Sequence, residues 1–394
     1  MRRPLQAAVF VCSLFQLSLA WVRLTNGQSG STCELGYRKC IARFSECQDG
    51  ECVCKSGLRG RGDFFCFQPA FYNAEVLNDP NLWNFKAEYS AVPAPCRYLL
   101  THFRSNYTKW PFGQCEVKVH AYNAKHRGTV YVHGFDLALR IVTSHAVLTG
   151  TEISFRKFGH ATASGYTFEE LGSLSYAPDG PWNVTDTACY SIFPGSSLRV
   201  RHDPYNNYAY FEVEACGVKV VFRPFNLEEG VSQSQLPGLG VMVSTEHDVT
   251  WLSSSDVIAL DPASDVTLSS LASSLNLTRQ QVMLYRMLAS NVQQNQPNAA
   301  PSCEAASNAV TSCTSPVRRR LAFDLCEFMV RDKKVINCLD QSENGGGVMD
   351  LFARCVTAVC TSSVTLCQEV KASVATCSGR MEVAPPLLQP GACP

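Results

Sequence analysis

The side chains with the most chemistry to offer in this sequence are its thiols. Twenty cysteines occur in 394 residues, and they are placed unevenly. Six fall between Cys33 and Cys66, four between Cys96 and Cys216 and nine between Cys303 and Cys393, with Cys12 apart near the start. Clusters of this density predict disulfide frameworks made in an oxidising compartment rather than zinc sites or catalytic thiols. One short stretch between Cys54 and Cys66 carries the tripeptide Arg61-Gly62-Asp63. A guanidinium and a carboxylate held at fixed separation are the chemistry of an integrin ligand, and a closed loop has little entropy left to lose on binding. Three sequons, at Asn106, Asn183 and Asn276, are acceptors for N-linked glycans.

Catalytic constellations are missing from the sequence. The eight histidines are scattered without a His-Glu-x-x-His pair. There is no Gly-x-Ser-x-Gly elbow and no phosphate-cradling glycine loop, so no catalytic residue, cofactor or metal ligand is assigned. A site assembled from distant residues remains the one enzymatic alternative.

Residues 1–20 predict the compartment. Arg2 and Arg3 precede an apolar run, and Ser18-Leu19-Ala20 offers small residues at a signal-peptidase spacing. No later stretch predicts a membrane span. Removing the two arginines of this leader turns a 34-to-34 balance of basic and acidic residues slightly acidic. That excludes the electrostatic footprint of a nucleic-acid or anionic-membrane binder. An odd number of cysteines follows the leader, so one thiol is left free or bridges two chains, with Cys393 or another of the last nine the expected one.

The elements that must position these residues differ along the chain. The spacing C-x6-C-x6-C-x4-C-x-C-x11-C over residues 33–67 resembles an EGF-like module. The resemblance implies the pairs Cys33–Cys47, Cys40–Cys52 and Cys54–Cys66. It also explains Gly60 and Gly62, because such modules end in Gly-x-Gly-x-x-x-Cys. On this reading Arg61 and Asp63 are neighbours of a structural turn, and we prefer it to the integrin reading. Residues 26–32 carry no carboxylate, so no calcium is expected there.

From residue 90 to 262 period-two runs predict antiparallel sheets packed on each other. Val117, Val119 and Ala121 share one face, with Glu116, Lys118 and His120 opposite. Residues 129–133 and 135–141 read as two strands meeting at Gly134. Further strands are expected at 197–201, 208–215 and 218–222. Four cysteines here allow two bridges whose partners the spacing leaves open. The stretch is distantly similar to a von Willebrand factor type D domain, on Cys96-Arg-Tyr-Leu, Val130–Leu139 and the segment from Cys216 to Phe222. The family's terminal Gly-Leu-Cys-Gly segment is represented only by Gly238-Leu-Gly-Val241, with Glu246, Asp248 and Asp256 nearby, so no calcium ligands are assigned.

Residues 226–302 read as a polar connection, with a helical connector from 263. Asp265 or Thr267 is expected to cap a turn bearing Leu268, Leu271 and Leu275. Thr278 to Gln281 reads as a capping box ahead of Val282, Tyr285 and Leu288. Residues 303–394 alternate cysteines with helix-period hydrophobics. Cys326, Cys338, Cys355-x4-Cys360-x6-Cys367-x9-Cys377 is similar to the eight-cysteine module that follows type D domains. Arg318-Arg-Arg320 is read as an exposed basic helix end in preference to a processing site.

The expected fold is therefore mainly β in its N-terminal part, an EGF-like hairpin followed by a type D-like sandwich, with a disulfide-rich α-helical C-terminal module. The resemblances imply a secreted matrix or adhesion glycoprotein, mineral-associated matrices among the options. It would associate with other matrix proteins and with itself through a disulfide, rather than act by catalysis. A soluble receptor ligand using the hairpin and an enzyme are the competing readings.

Overall fold

Apolar alternation, interrupted by glycines and prolines, gives way at about residue 260 to helix-period hydrophobics, and the structure follows that change. In the computed structural model the described residues are 40, 44–77, 80–107, 113–126, 129–142, 147–157, 166–170, 187–193, 196–203, 208–223, 238–252, 257–292, 301–341, 347–381 and 385–393. Eighteen strands precede eight α-helices among them. Strands β1 (Ser45–Gln48), β2 (Glu51–Cys54), β3 (Arg59–Arg61) and β4 (Phe65–Phe67) form a small meander in chain order. Next come β5 (Phe71–Leu77), β6 (Asn81–Trp83), β7 (Tyr89–Ala91), β8 (Arg97–Tyr107), β9 (Gly113–His126) and β10 (Thr129–Val142). They are followed by β11 (Val147–Lys157), β12 (Tyr166–Glu170), β13 (Thr187–Phe193), β14 (Ser196–Asp203) and β15 (Tyr208–Val213). The last strands are β16 (Val218–Arg223), β17 (Gly238–Ser244) and β18 (Val249–Trp251). A six-stranded sheet has the order β12-β11-β10-β9-β8-β18, and an eight-stranded sheet the order β13-β14-β15-β16-β17-β5-β6-β7. The hairpin pairings β10–β11, β13–β14, β14–β15 and β15–β16 are antiparallel.

The chain divides into two compact units, neither of them continuous. One holds residues 1–73, 103–118 and 134–251; the other holds 74–102, 119–133 and 252–394. In the first unit the two large sheets face each other through rings. Phe135 of β10 meets Phe211 edge-on with centroids 4.9 Å apart, and Phe222 lies 5.8 Å away. A disulfide joins Cys115 of β9 to Cys216, in the short 3-10 turn after β15. The Ser105 hydroxyl donates to the Cys216 carbonyl at 2.7 Å, so that buried acceptor is satisfied.

Three expectations are corrected here. Residues 129–142 form one strand, not two. Its buried side changes from the even positions Val130 and Val132 to the odd positions Phe135, Leu137, Leu139 and Ile141. Gly134 lies where the facing switches, so the sequence shows a break where the backbone runs on. Second, the polar connection read from residue 226 contains β17, whose seven residues are all buried. Its Gly-Leu-Gly-Val-Met-Val-Ser sequence is a short apolar run, the pattern of a strand covered on both faces, which has no alternation to reveal it. Third, the spare thiol is not among the last nine. Cys303 pairs with Cys96, and the other eight form Cys313–Cys360, Cys326–Cys355, Cys338–Cys377 and Cys367–Cys393.

The second unit carries the helices: α1 (Leu268–Leu275), α2 (Arg279–Val292), α3 (Pro301–Ser312), α4 (Pro316–Cys326), α5 (Phe328–Arg331), α6 (Lys333–Gln341), α7 (Gly347–Thr361) and α8 (Val364–Ala375). Their starts are written locally. Thr267 accepts from the Ser270 amide while the Ser270 hydroxyl accepts from the Thr267 amide, a reciprocal cap. Thr278 and Gln281 repeat the device at α2, at 3.0 and 3.1 Å. Ser315 caps α4 with Pro316 in its first turn, and Ser363 caps α8. The apolar stripe of α7, including Leu351, Phe352, Cys355 and Val359, is buried. Phe323 bridges Tyr285 and Phe352 with centroids 6.4 and 6.3 Å apart. No described helix is long and apolar enough to cross a membrane.

A non-reducing peptide map tests this wiring. It should return the Cys96 peptide joined to that of Cys303, and Cys393 joined to Cys367. Alkylation of unreduced protein should label none of the nine C-terminal cysteines.

Candidate functional site

The hairpin motif was the leading sequence candidate, and its glycines are set by backbone contacts. Gly60 has φ +114°, and a Cβ there would lie 2.3 Å from the Phe65 carbonyl oxygen. Gly62 donates its N–H to the Cys52 carbonyl at 3.1 Å, and a Cβ would come within 2.6 Å of that same group. The Ser45 hydroxyl holds the Gly62 carbonyl at 2.7 Å. Disulfides Cys40–Cys52 and Cys54–Cys66 fix the frame, the two bonds the spacing resemblance implies for those four residues. Cys47 is also disulfide-bonded, while Cys33 lies outside the described residues.

The charges of the tripeptide face each other. Arg61 donates from Nε to Asp63 Oδ1 at 3.2 Å and from Nη2 to Oδ2 at 2.9 Å. Asp63 is only 8% exposed. Arg223 of β16 donates to its carbonyl at 3.3 Å, Phe64 is buried, and the Phe65 ring lies tilted against Tyr210 of β15 with centroids 6.3 Å apart. The loop lies on its neighbouring sheet, and its carboxylate is consumed by a bidentate partner.

Arg318-Arg-Arg320 is likewise turned to structural use. The three lie in the first turns of α4, where cations oppose the helix's own dipole. Arg319 donates through Nε and Nη2 to the Cys313 carbonyl, at 3.2 and 2.9 Å. Arg318 donates to the Cys360 carbonyl at 2.9 Å, and Arg320 pairs with Asp324 one turn on. Cys313 follows the last residue of α3 and Cys360 lies in the last turn of α7. Two of the arginines therefore cap the negative ends of two other helices, which the Cys313–Cys360 bond ties together. A helical segment held this way does not present the extended strand a processing protease binds.

Of the sequons, Asn106 is exposed, and its Nδ2 donates to Asp248 Oδ2 at 3.3 Å. Asn276 is exposed in the left-handed region (φ 54°) at the C-terminal cap of α1. Asn183 and the leader, residues 1–20, lie outside the described residues. Among the described residues no cluster of three His, Cys, Asp or Glu side chains forms a metal site.

One concave feature escaped the sequence reading. In the first unit a cleft of about 60 Å³ opens where the hairpin module leads into β5. Phe71, Glu212, Glu214, Lys219, Glu246 and His247 contribute to its lining. Lys219 is buried with its Nζ 5.3 Å from the Tyr210 ring centroid. Neither ring nitrogen of His247 makes a hydrogen bond of normal geometry, although both are shut off from solvent. Burial drives its pKa below the ordinary 6.5, against the pull of Glu246, the Ala215 carbonyl and Glu214. The five polar residues from three segments had no motif to announce them; adjacency arises only when β15, β16 and the turn after β17 meet.

Scanned against protein-family models and against curated proteins, the chain matches none of either.

Asp63→Ala strands the Arg61 guanidinium and should lower unfolding stability by about 2 kcal/mol in denaturant titrations. Arg319→Ala uncaps α3 and should cost about 1 kcal/mol by the same measurement. A proprotein convertase acting on the folded chain should leave Arg320 uncut, as read by intact mass.

Proposed function

We propose that this is a secreted, disulfide-braced matrix or adhesion glycoprotein that works by associating with other extracellular proteins. The observation that carries the reading is the density of cross-links: eight disulfides among the described residues. Such a framework belongs to an oxidising compartment. It serves a protein that must keep its shape among extracellular proteases, because each cross-link raises the free energy of opening. Mostly antiparallel β structure followed by a cross-linked helical array supports the similarity to an EGF-like module, a type D-like domain and an eight-cysteine module. In type D proteins the type D and eight-cysteine pair mediates association between chains. The inward-facing Arg61-Gly62-Asp63 argues against a receptor ligand that works through this tripeptide.

Self-association by disulfide is part of the proposal. The last nine cysteines are all closed within the chain, so the link would fall elsewhere.

Fractionation of the source tissue tests the reading. The protein should resist extraction by salt, be released by denaturant with reductant, and run as a dimer on a non-reducing gel. A freely soluble protein that runs as a monomer on the non-reducing gel would refute both parts.

A further inference from the structure

The most unusual chemistry outside the disulfides is in the cleft at the foot of the hairpin module. His247 sits in the turn between β17 and β18. Its ring lies on Gly217, which has φ +62°. A Cβ there would fall 2.6 Å from Nδ1, so the imidazole occupies the space any other residue at 217 would fill. The same turn is tied to the neighbouring segments. Ser244 donates its N–H to Gly217 at 2.7 Å, and Gly217 to Glu214 at 3.0 Å. Thr245 clasps the Ala70 carbonyl with both its amide, at 2.9 Å, and its hydroxyl, at 2.7 Å. Ala70 immediately precedes β5 and follows the hairpin module. The imidazole therefore wedges a turn that fastens the end of one module to the sheet beside it.

A neutral ring fits this position as an apolar plate. A charged ring fits less well, because both N–H donors are shut from solvent and that burial outweighs the pull of the Ala215 carbonyl. The charged groups facing it are Glu212 and Glu214 from β15 and its following turn, Lys219 from β16, and Glu246 from its own turn. Glu214 and Glu246 are exposed, so an imidazolium reaches their carboxylates by turning outward. We propose that His247 is an acid-released latch: protonation drives the ring out of its seat on Gly217, and the Thr245 clasp on Ala70 loosens with it.

The sign follows from the burial. The unfolded or opened segment takes up a proton at the ordinary 6.5, before the closed one does. Stability of the latch is thus complete above that value and lost as pH falls below it.

Hydrogen exchange read segment by segment provides the test. Between about pH 7.5 and about pH 5.5, corrected for intrinsic chemistry, amides of residues 244–248 in the wild-type chain should exchange about tenfold faster. His247→Gln should leave them unchanged over the same interval. Equal acceleration in both proteins, or none in the wild type, overturns the proposal. Should the variant fail to fold, the wild-type imidazole resonance decides. Titration below 6.5 accompanied by faster exchange at 244–248 supports the latch, whereas titration without it, or at 6.5 and above, overturns it.

Discussion

Long-range covalent closure is the constraint from which the rest of this structure follows. Cys96–Cys303 spans 207 residues and Cys115–Cys216 spans 101. In the chain-entropy model loops of this length are worth about 5 kcal/mol each, less where they overlap. That stabilisation requires the cysteines to arrive with backbone already in place, and buried amides do the placing. Asn123 of β9 donates from Nδ2 to the carbonyls of Val92 and Ala94, at 2.9 and 3.1 Å. Its amide donates to the Cys96 carbonyl at 3.1 Å, and the Tyr98 hydroxyl donates to its Oδ1 at 3.2 Å. One asparagine thus satisfies the turn that carries Cys96 to its bond. Complete burial pushes the Tyr98 phenol far above its ordinary range, so it stays a neutral donor.

Two short motifs that look like addresses in the sequence are instead parts of the framework. Arg61 and Asp63 neutralise each other, and Arg318 and Arg319 neutralise carbonyls at helix ends. The physical cause is shared. Backbone groups at turns and helix ends lack partners within their own element, so charged side chains beside them cover polar ends that would otherwise be stranded. A motif match cannot distinguish a displayed charge from a spent one, because the distinction lies in which carbonyl or carboxylate is nearby.

Legibility in the sequence tracked the range of the interaction. The caps at Thr267 and Thr278 were readable because partners sit three residues apart. The alternation of Val117, Val119 and Ala121 was readable because a strand with one face more deeply buried than the other repeats every two residues. His120 broke that pattern, being buried at 3% exposure on the face expected to be polar. β17 was missed for the opposite reason, since burial on both faces erases the period. The Cys96–Cys303 bond and the His247 cleft depend on which segments meet in space, and no local spacing encodes either.

Protons act in opposite senses at two places in the molecule. In the helical unit Glu327 carries a pKa raised above 4.5, by burial first and against the pull of Arg331, whose Nε lies 3.4 Å from Oε2. A carboxyl raised on folding contributes stability that is full below 4.5 and is lost as pH rises through its folded value. The imidazole at 247, lowered on folding, contributes stability that is lost as pH falls below 6.5. Acid therefore favours the folded form at Glu327 as pH falls toward 4.5, whereas below 6.5 it works against the seated ring of His247. The disulfides are indifferent to that range of pH, so the covalent frame persists while local fastenings change. Separating a permanent scaffold from proton-sensitive joints lets such a chain alter the mobility of one module without risk to its fold.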